Sequence, residues 1–232
     1  MACIIKLKNC SYRVKQPYDL EILRVLDFCV ESGEQCIIHG PSGSGKTTLF
    51  NIIGGLLCPT SGEVEVASQR LDLLSEHQRD KFRGRNIGFI FQSYNLLQGL
   101  TALENVLLGM TLSGCASDKQ RAMDLLDEVG LNKRSAHYPF QLSSGEQQRV
   151  AVARALAHKP SLILADEPTG ALDPIRSAEI IDLILSLSGR AGCTILVITH
   201  DPDVVRKFPK AIAVRDINKA FESEMQTKEI KL

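Results

Sequence analysis

Alternating and apolar runs open the chain. The segments IIKLKN (4–9) and LRVLDFCV (23–30) read as strands joined by a polar stretch with Pro17, which predicts an antiparallel piece of two or three strands. QCIIHG (35–40) is a short apolar strand that runs straight into a glycine-rich loop, and TTLFNIIGGL behind it has helical spacing. From about 100 to 160 the periodicity is helical. Thr101-x-x-Glu104 makes a capping box ahead of NVLLGM, and Ser117 is placed to cap the amphipathic run DKQRAMDLLDEV, which stops at Gly130. SLILAD (161–166) returns to a buried-type strand. Asp173-Pro174 supplies an N-cap and a first-turn proline for a helix carrying Ile180, Ile181, Ile184 and Leu187. CTILVITH (193–200) is another apolar strand, so strand, helix and strand follow in the order that a parallel sheet with right-handed crossovers requires. AIAVRD and a charged tail from Ile217 close the sequence.

The pattern predicts an α/β fold. With no internal repeat, low-complexity run or linker, two subdomains are expected in one compact unit: a core with its β subdomain from 1–95 and 161–232, and a helical insert at about 96–160. A chain of 232 residues buries enough apolar surface to fold alone. Twenty-seven basic residues balance 27 acidic ones, which gives no support for nucleic-acid binding. The seven cysteines are scattered, odd in number and without a C-x-x-C pair, and read as reduced thiols in the cytosol. No run of eighteen apolar residues exists and MACIIKLKNCSY is unlike a secretion signal, so a membrane role would need its span from another chain.

Gly40-Pro41-Ser42-Gly43-Ser44-Gly45-Lys46-Thr47, followed by Thr48, fits G-x-x-x-x-G-K-[ST] between a strand and a helix. Glycines let backbone N–H groups curl around phosphates, the helix N-terminus adds positive potential, Lys46 reaches the terminal phosphates and the Thr47 hydroxyl ligates magnesium. LILADEPTG puts Asp166 and Glu167 just past a strand end, where open α/β sheets place ligands. Asp166 can then hold the magnesium shell while Glu167 orients or deprotonates a water. His200 and Gln92 leave strands in the same way; each alone is ordinarily structural. In QLSSGEQQR, Ser143-x-x-Glu146 is a capping box, and these residues by themselves read as a capped helix of the insert.

Taken in order, GPSGSGKTT, FQSYN, LSSGEQQR, LILADEPTG, ALD and the TH ending at His200 resemble the ATP-binding subunit of an ABC transporter, over nearly the whole chain. The resemblance implies a P-loop NTPase with a RecA-like core sheet, an N-terminal antiparallel β subdomain and an inserted helical subdomain. It implies ATP and Mg2+ as ligands, and Gln92 as a glutamine that senses magnesium and couples to a membrane partner. Leu142, Ser143, Ser144, Gly145 and Glu146 become the signature loop, Glu167 the general base, Asp173 the D-loop aspartate and His200 a γ-phosphate contact. Tyr12 matches the aromatic that stacks on adenine, with Tyr18 as the competing candidate.

FIFQSYNLLQGLTALENVLLGM and ADEPTGALD resemble the subfamily of LolD, MacB and FtsE type. That implies a homodimer on the cytoplasmic face of the inner membrane, working with integral-membrane permease subunits to export or extract a lipid, lipoprotein, peptide or drug. The alternatives are a cell-division-type ATPase that signals to cell-wall hydrolases and a soluble ABC ATPase acting on nucleic acid. An ordinary P-loop kinase leaves LSSGEQQR unexplained. Two departures stand out. Ser144 replaces the first glycine of the usual LSGGE or LSGGQ, which would cost of the order of 1 kcal/mol or more if that backbone needs a positive φ. RDINKAF replaces the Asp-Gly of the last hairpin.

Overall fold

The structure is a computed structural model that describes residues 2–15 and 19–221. Tyr18 and most of the charged tail lie outside the described residues. In chain order the elements are β1 (Cys3–Val14), β2 (Leu20–Glu31), β3 (Gln35–His39), α1 (Lys46–Ile53), β4 (Ser61–Val66), β5 (Gln69–Arg70), α2 (Glu76–Asn86), β6 (Ile87–Phe91), α3 (Ala102–Ser113), α4 (Lys119–Glu128), α5 (Ser144–Leu156), β7 (Leu162–Asp166), α6 (Pro174–Ala191), β8 (Thr194–Thr199), α7 (Pro202–Val205), β9 (Lys210–Ala213) and α8 (Val214–Ile217). The chain divides into two compact units, 1–80 with 198–232, and 81–197.

The first unit holds an antiparallel sheet in the order β2-β1-β4-β5, one pairing richer than the two or three strands expected. Its register explains its core. Ile5 faces Val30 on one side and Val66 on the other, and Leu7 faces Phe28 and Val64. All six side chains are buried, and each contributes roughly 1.5–3 kcal/mol of apolar transfer. A second pairing, β3 with β9, is parallel and ends at His39 opposite Ala213, directly before the glycine loop.

The same β1–β2 ladder corrects the cysteine reading. Cys3 and Cys29 form a disulfide, their Cα atoms 5.9 Å apart. In the register Cys3 faces Glu31 and Cys29 faces Lys6, a diagonal that ordinarily spans about 7–8 Å. The register shift between Cys3 and Ile5 shortens it. Cys10, Cys36 and Cys193 are free and buried, as expected of small apolar residues. Burial pushes the Cys10 and Cys36 thiols up to about 11, which leaves them unreactive.

In the second unit, β6 and β7 pair in parallel from Ile87 opposite Leu162 to Phe91 opposite Asp166, and β8 lies on the other side of β7. Helices α3 and α5 pack so closely that a Cβ on Gly109 would stand 2.6 Å from the Arg154 carbonyl. The Thr101–Glu104 capping box and the Asp173 N-cap form as expected. The cap of α4 does not. Asp118, one residue after Ser117, has the extended N-cap backbone and its carboxylate accepts from Arg121 N at 3.0 Å. Ser117 instead lies 3.2 Å from the Thr111 hydroxyl.

One helix has no apolar stripe in the sequence. Helix α2, EHQRDKFRGRN, buries none of its residues and starts from a reciprocal Ser75–Gln78 contact. After β9 the chain turns into the short helix α8, with Val214 and Ile217 buried, at the place where RDINKAF departs from the family's Asp-Gly.

Candidate nucleotide site

The apolar strand β3 delivers the chain to Gly40, and the loop that follows is shaped by glycines. Gly40, Gly43 and Gly45 have φ of 159°, 78° and 88°. The last two lie in the left-handed region that glycine occupies without strain. Gly45 is the N-cap of α1 and offers no side-chain cap, and no acidic residue stands in the first turn. The N-cap residue therefore gives the start of α1 no side-chain cap and the first turn no carboxylate, a helix N-terminus of the kind that favours an anion. Lys46 is nearly buried, and its ammonium donates to the carbonyls of Gly40 and Pro41 at 2.7 and 2.8 Å. The Ser44 hydroxyl donates to Pro41 O at 2.7 Å, closing the loop on itself. Thr47 is exposed at the start of the helix and Thr48 half-buried.

His200 lies in the same unit and is brought to this loop. A cleft of about 550 Å³ is lined by His39, Gly40, Pro41, Ser42, His200 and Arg206, among others. Tyr12 sits near the end of β1, half-buried, opposite Leu23 of β2.

The second unit gathers the other expected residues. Parallel register sets Phe91 beside Asp166, so Gln92 and Glu167 are the next residues off neighbouring strand ends. Contact confirms it: a Cβ on Gly170 would stand 2.8 Å from Gln92 Nε2. Glu167 has φ 45°, a left-handed backbone that costs a side-chain-bearing residue about 1 kcal/mol or more. A turn bond from Gly170 N to Glu167 O, 3.1 Å, accompanies it. Asp173 is exposed; its carboxylate accepts from Arg176 N at 3.0 Å and faces the Arg176 guanidinium at 3.4 Å.

The loop QLSSGEQQR is anchored by buried Leu142 and enters α5 through Ser143. Ser143 N and its hydroxyl both donate to Glu146 Oε2, at 2.9 and 2.8 Å, and Glu146 N returns a bond of 3.3 Å to the hydroxyl. The Ser143 backbone N–H and then its hydroxyl hold the Glu146 carboxyl below the usual glutamate range. Ser144 is the first residue of the helix and is not among the residues of positive φ, so the serine carries no left-handed cost. A Cβ on Gly145 would meet only Arg176 Cδ, at 3.8 Å.

Three residues that the sequence pattern did not mark support these loops. Gln148 is fully buried on α5 and donates to the carbonyl of Pro168, the residue after Glu167, at 2.5 Å. Arg154 on the same helix donates to Tyr94 O and Asn95 O, 2.7 and 2.5 Å. It thereby ties down two residues of positive φ just past Gln92. Asn218 reaches Ser44 O at 3.0 Å. Polar residues at otherwise apolar helical positions are the only signal for the first two. Asn218 has none, since its contact spans 174 residues of sequence.

The glycine loop leading into a helix, and in the second unit the acidic pair leaving a parallel strand, are features of P-loop nucleotide hydrolases in general. The chain belongs to the ABC transporter family, whose profile matches residues 23–170, and it is an ATPase of that class. LolD, the ATP-binding protein of a lipoprotein-releasing system in Legionella pneumophila (strain Paris), is 40% identical over 199 residues, 85% of this chain and 88% of that protein. LolD of Xanthomonas axonopodis pv. citri is 45% identical over 81% of this chain and 78% of its own length. An uncharacterized ABC transporter ATP-binding protein of Thermotoga maritima is 48% identical over 86% and 88%. The structure also superposes on the ATP-binding cassette MJ0796, solved as a post-hydrolysis dimer bound to ADP and Pi, with a TM-score of 0.82 and 40% identity over 93% and 95% of the two chains.

Proposed function

We propose that two copies of this chain assemble head to tail as the ATP-driven engine of a membrane permease that extracts or exports a lipidated or peptidic substrate at the cytoplasmic face of the inner membrane. In this reading the loop from Gly40 to Thr48 cradles the phosphates of one ATP, and Ser143 with Gly145 of the second copy closes over its γ-phosphate. Tyr12 stacks on the adenine. Glu167 takes a proton from water as the water oxygen bonds to the γ-phosphorus. The bond to the β–γ bridging oxygen breaks, and ADP and phosphate are the products. His200 steadies the γ-phosphate, and Lys46 offsets charge on the leaving oxygens.

Among the described residues no group of three or more His, Cys, Asp or Glu is placed to cage a metal. The Thr47 hydroxyl, the Gln92 amide oxygen and, through water, Asp166 would supply oxygen ligands of the kind Mg2+ takes alongside nucleotide phosphates. The ion would neutralise phosphate charge. Gln92 and Asp173 would pass the state of the site to the permease and to the second copy. No helix among the described residues is long and apolar enough to cross a membrane, so the permease supplies the span.

The observation that carries this reading is the uncapped N-terminus of α1 behind a left-handed glycine loop, in a chain whose relatives include LolD proteins and a nucleotide-bound dimer. Co-expression with the cognate permease is the test. A co-purifying complex whose ATPase rises several-fold over the isolated chain and disappears with Lys46→Ala supports the proposal. No membrane association, with turnover indifferent to the permease, would defeat it.

A further inference from the structure

Asn218 is fully buried, follows the helix α8 and satisfies every hydrogen-bonding position of its amide. Its Oδ1 accepts from Arg24 N at 2.9 Å and Ala220 N at 3.1 Å. Its Nδ2 donates to Ile22 O at 2.9 Å and Ser44 O at 3.0 Å. Ile22 and Arg24 lie on β2, the outermost strand of its sheet, so the side-chain amide takes the place a neighbouring strand's peptide would fill. Ser44 is the residue at which the phosphate loop bends into α1. Its hydroxyl already holds Pro41 O, and its carbonyl is fixed by Asn218.

The bend itself is fitted to the amide. A Cβ on Gly45 would stand 2.8 Å from Asn218 Nδ2 and 3.0 Å from Ile22 O. At the other end of the loop a Cβ on Gly40 would overlap Val214, four residues before Asn218. The segment 214–218 therefore braces both ends of the glycine loop. An apolar residue could fill this space, but it would leave the Ser44 and Ile22 carbonyls and the Arg24 and Ala220 N–H groups without these partners.

From this juxtaposition we infer that Asn218 is a positioning residue for nucleotide binding, which fixes the Ser44–Gly45 bend and so the direction of the α1 N–H groups and of Lys46. The inference rests on the reading of Gly40 to Thr48 as the phosphate cradle. A cradle set before the ligand arrives binds more tightly because less ordering remains to be done. The bracing acts on ATP and its transition state alike, so its loss raises KM more than it lowers kcat.

The test uses the whole chain with Asn218→Asp and Asn218→Ser. The first keeps the Oδ1 contacts and turns an oxygen toward the Ser44 and Ile22 carbonyls; the second removes the reach to Ser44. Fluorescent mant-ADP affinity, KM and kcat for ATP, and Tm are measured beside Leu7→Ala, a core change in β1 of the same sheet. We expect both Asn218 variants to bind mant-ADP at least tenfold more weakly and to raise KM likewise, with kcat within about threefold, while Leu7→Ala lowers Tm and leaves affinity within twofold. Mant-ADP binding within twofold of wild type in the Asn218 variants overturns the inference. So does an equal loss in Leu7→Ala, or the absence of a cooperative melt in both Asn218 variants, since Asn218 would then belong to the fold rather than to the loop. If the wild type binds no mant-ADP, or Lys46→Ala binds it as tightly, the nucleotide-site reading fails first.

Discussion

The Gln148 amide donates its Nε2 hydrogen to the carbonyl of Pro168, joining α5, the helix that QLSSGEQQR opens, to the turn that presents Glu167. Gln148 has no exposed surface, its Oε1 meets no hydrogen-bond partner, and Glu167 one residue upstream of Pro168 is held at φ 45°. A buried glutamine with half its amide unsatisfied is a poor choice for packing alone. It makes sense as a strut on a strained turn. Gln148→Leu should lower stability by about 1–3 kcal/mol through the unpaired Pro168 carbonyl. It should also lower kcat at least several-fold while mant-ADP affinity is unchanged. Melts and steady-state ATPase assays check this; an unchanged kcat would reduce Gln148 to packing.

The helical backbone of Ser144 makes its replacement by glycine a small matter. Ser144→Gly places a residue of poor helix propensity at the first position of α5, a penalty of at most about 1 kcal/mol. Turnover should stay within about threefold of wild type in ATPase assays with the permease present. A loss above tenfold would mean that the hydroxyl itself is required for catalysis.

Among the described residues four carboxyls, Glu34, Asp72, Glu104 and Glu146, are held below their ordinary range, Glu34 because burial, which raises it, is outweighed by its hydrogen bonds with Lys210 and Glu31. The Arg70 side chain lowers Asp72, and the backbone N–H groups of Thr101 and Ser143, with the hydroxyls of the same residues, lower Glu104 and Glu146. Each binds its proton more weakly in the native chain than in the unfolded one. Their contribution is therefore complete above the ordinary carboxyl range near pH 4 and is lost as pH falls through the lowered native values. Tm measured from pH 7 to 3 should lose little from these groups down to about pH 5 and fall below about pH 4. Ser143→Ala should soften that fall. A Tm indifferent to pH between 5 and 3 would contradict the assignment.

The candidate site was legible where chemistry demands a local pattern. Gly40 to Thr47, Asp166-Glu167 and Ser143-x-x-Glu146 each declare a loop, a strand end or a cap within a few residues, and the structure builds those elements. Residues whose work depends on distant partners were not legible. Asn218 acts on Ser44, and Gln148 and Arg154 act on carbonyls that offer no side-chain signal. The Cys3–Cys29 bond depends on a register shift that spacing cannot reveal. Helix α2 lacks an apolar stripe, and the cap of α4 fell one residue from its expected place because a carboxylate stood next to the serine.

In the proposed function the working enzyme is a pair of chains closed around ATP and opened by hydrolysis at Glu167. Glu167→Gln keeps the turn's size and hydrogen-bonding reach but removes the carboxylate proposed as the base, a loss expected to be about 10²- to 10⁴-fold in turnover. Light scattering coupled to gel filtration, with ATP and Mg2+ in the buffer, measures the result directly. Glu167→Gln should form a stable dimer that returns to monomer when ATP is replaced by ADP, while the wild type stays largely monomeric under turnover. A Glu167→Gln protein that remains monomeric at saturating ATP, or that hydrolyses at the wild-type rate, would contradict the proposed function.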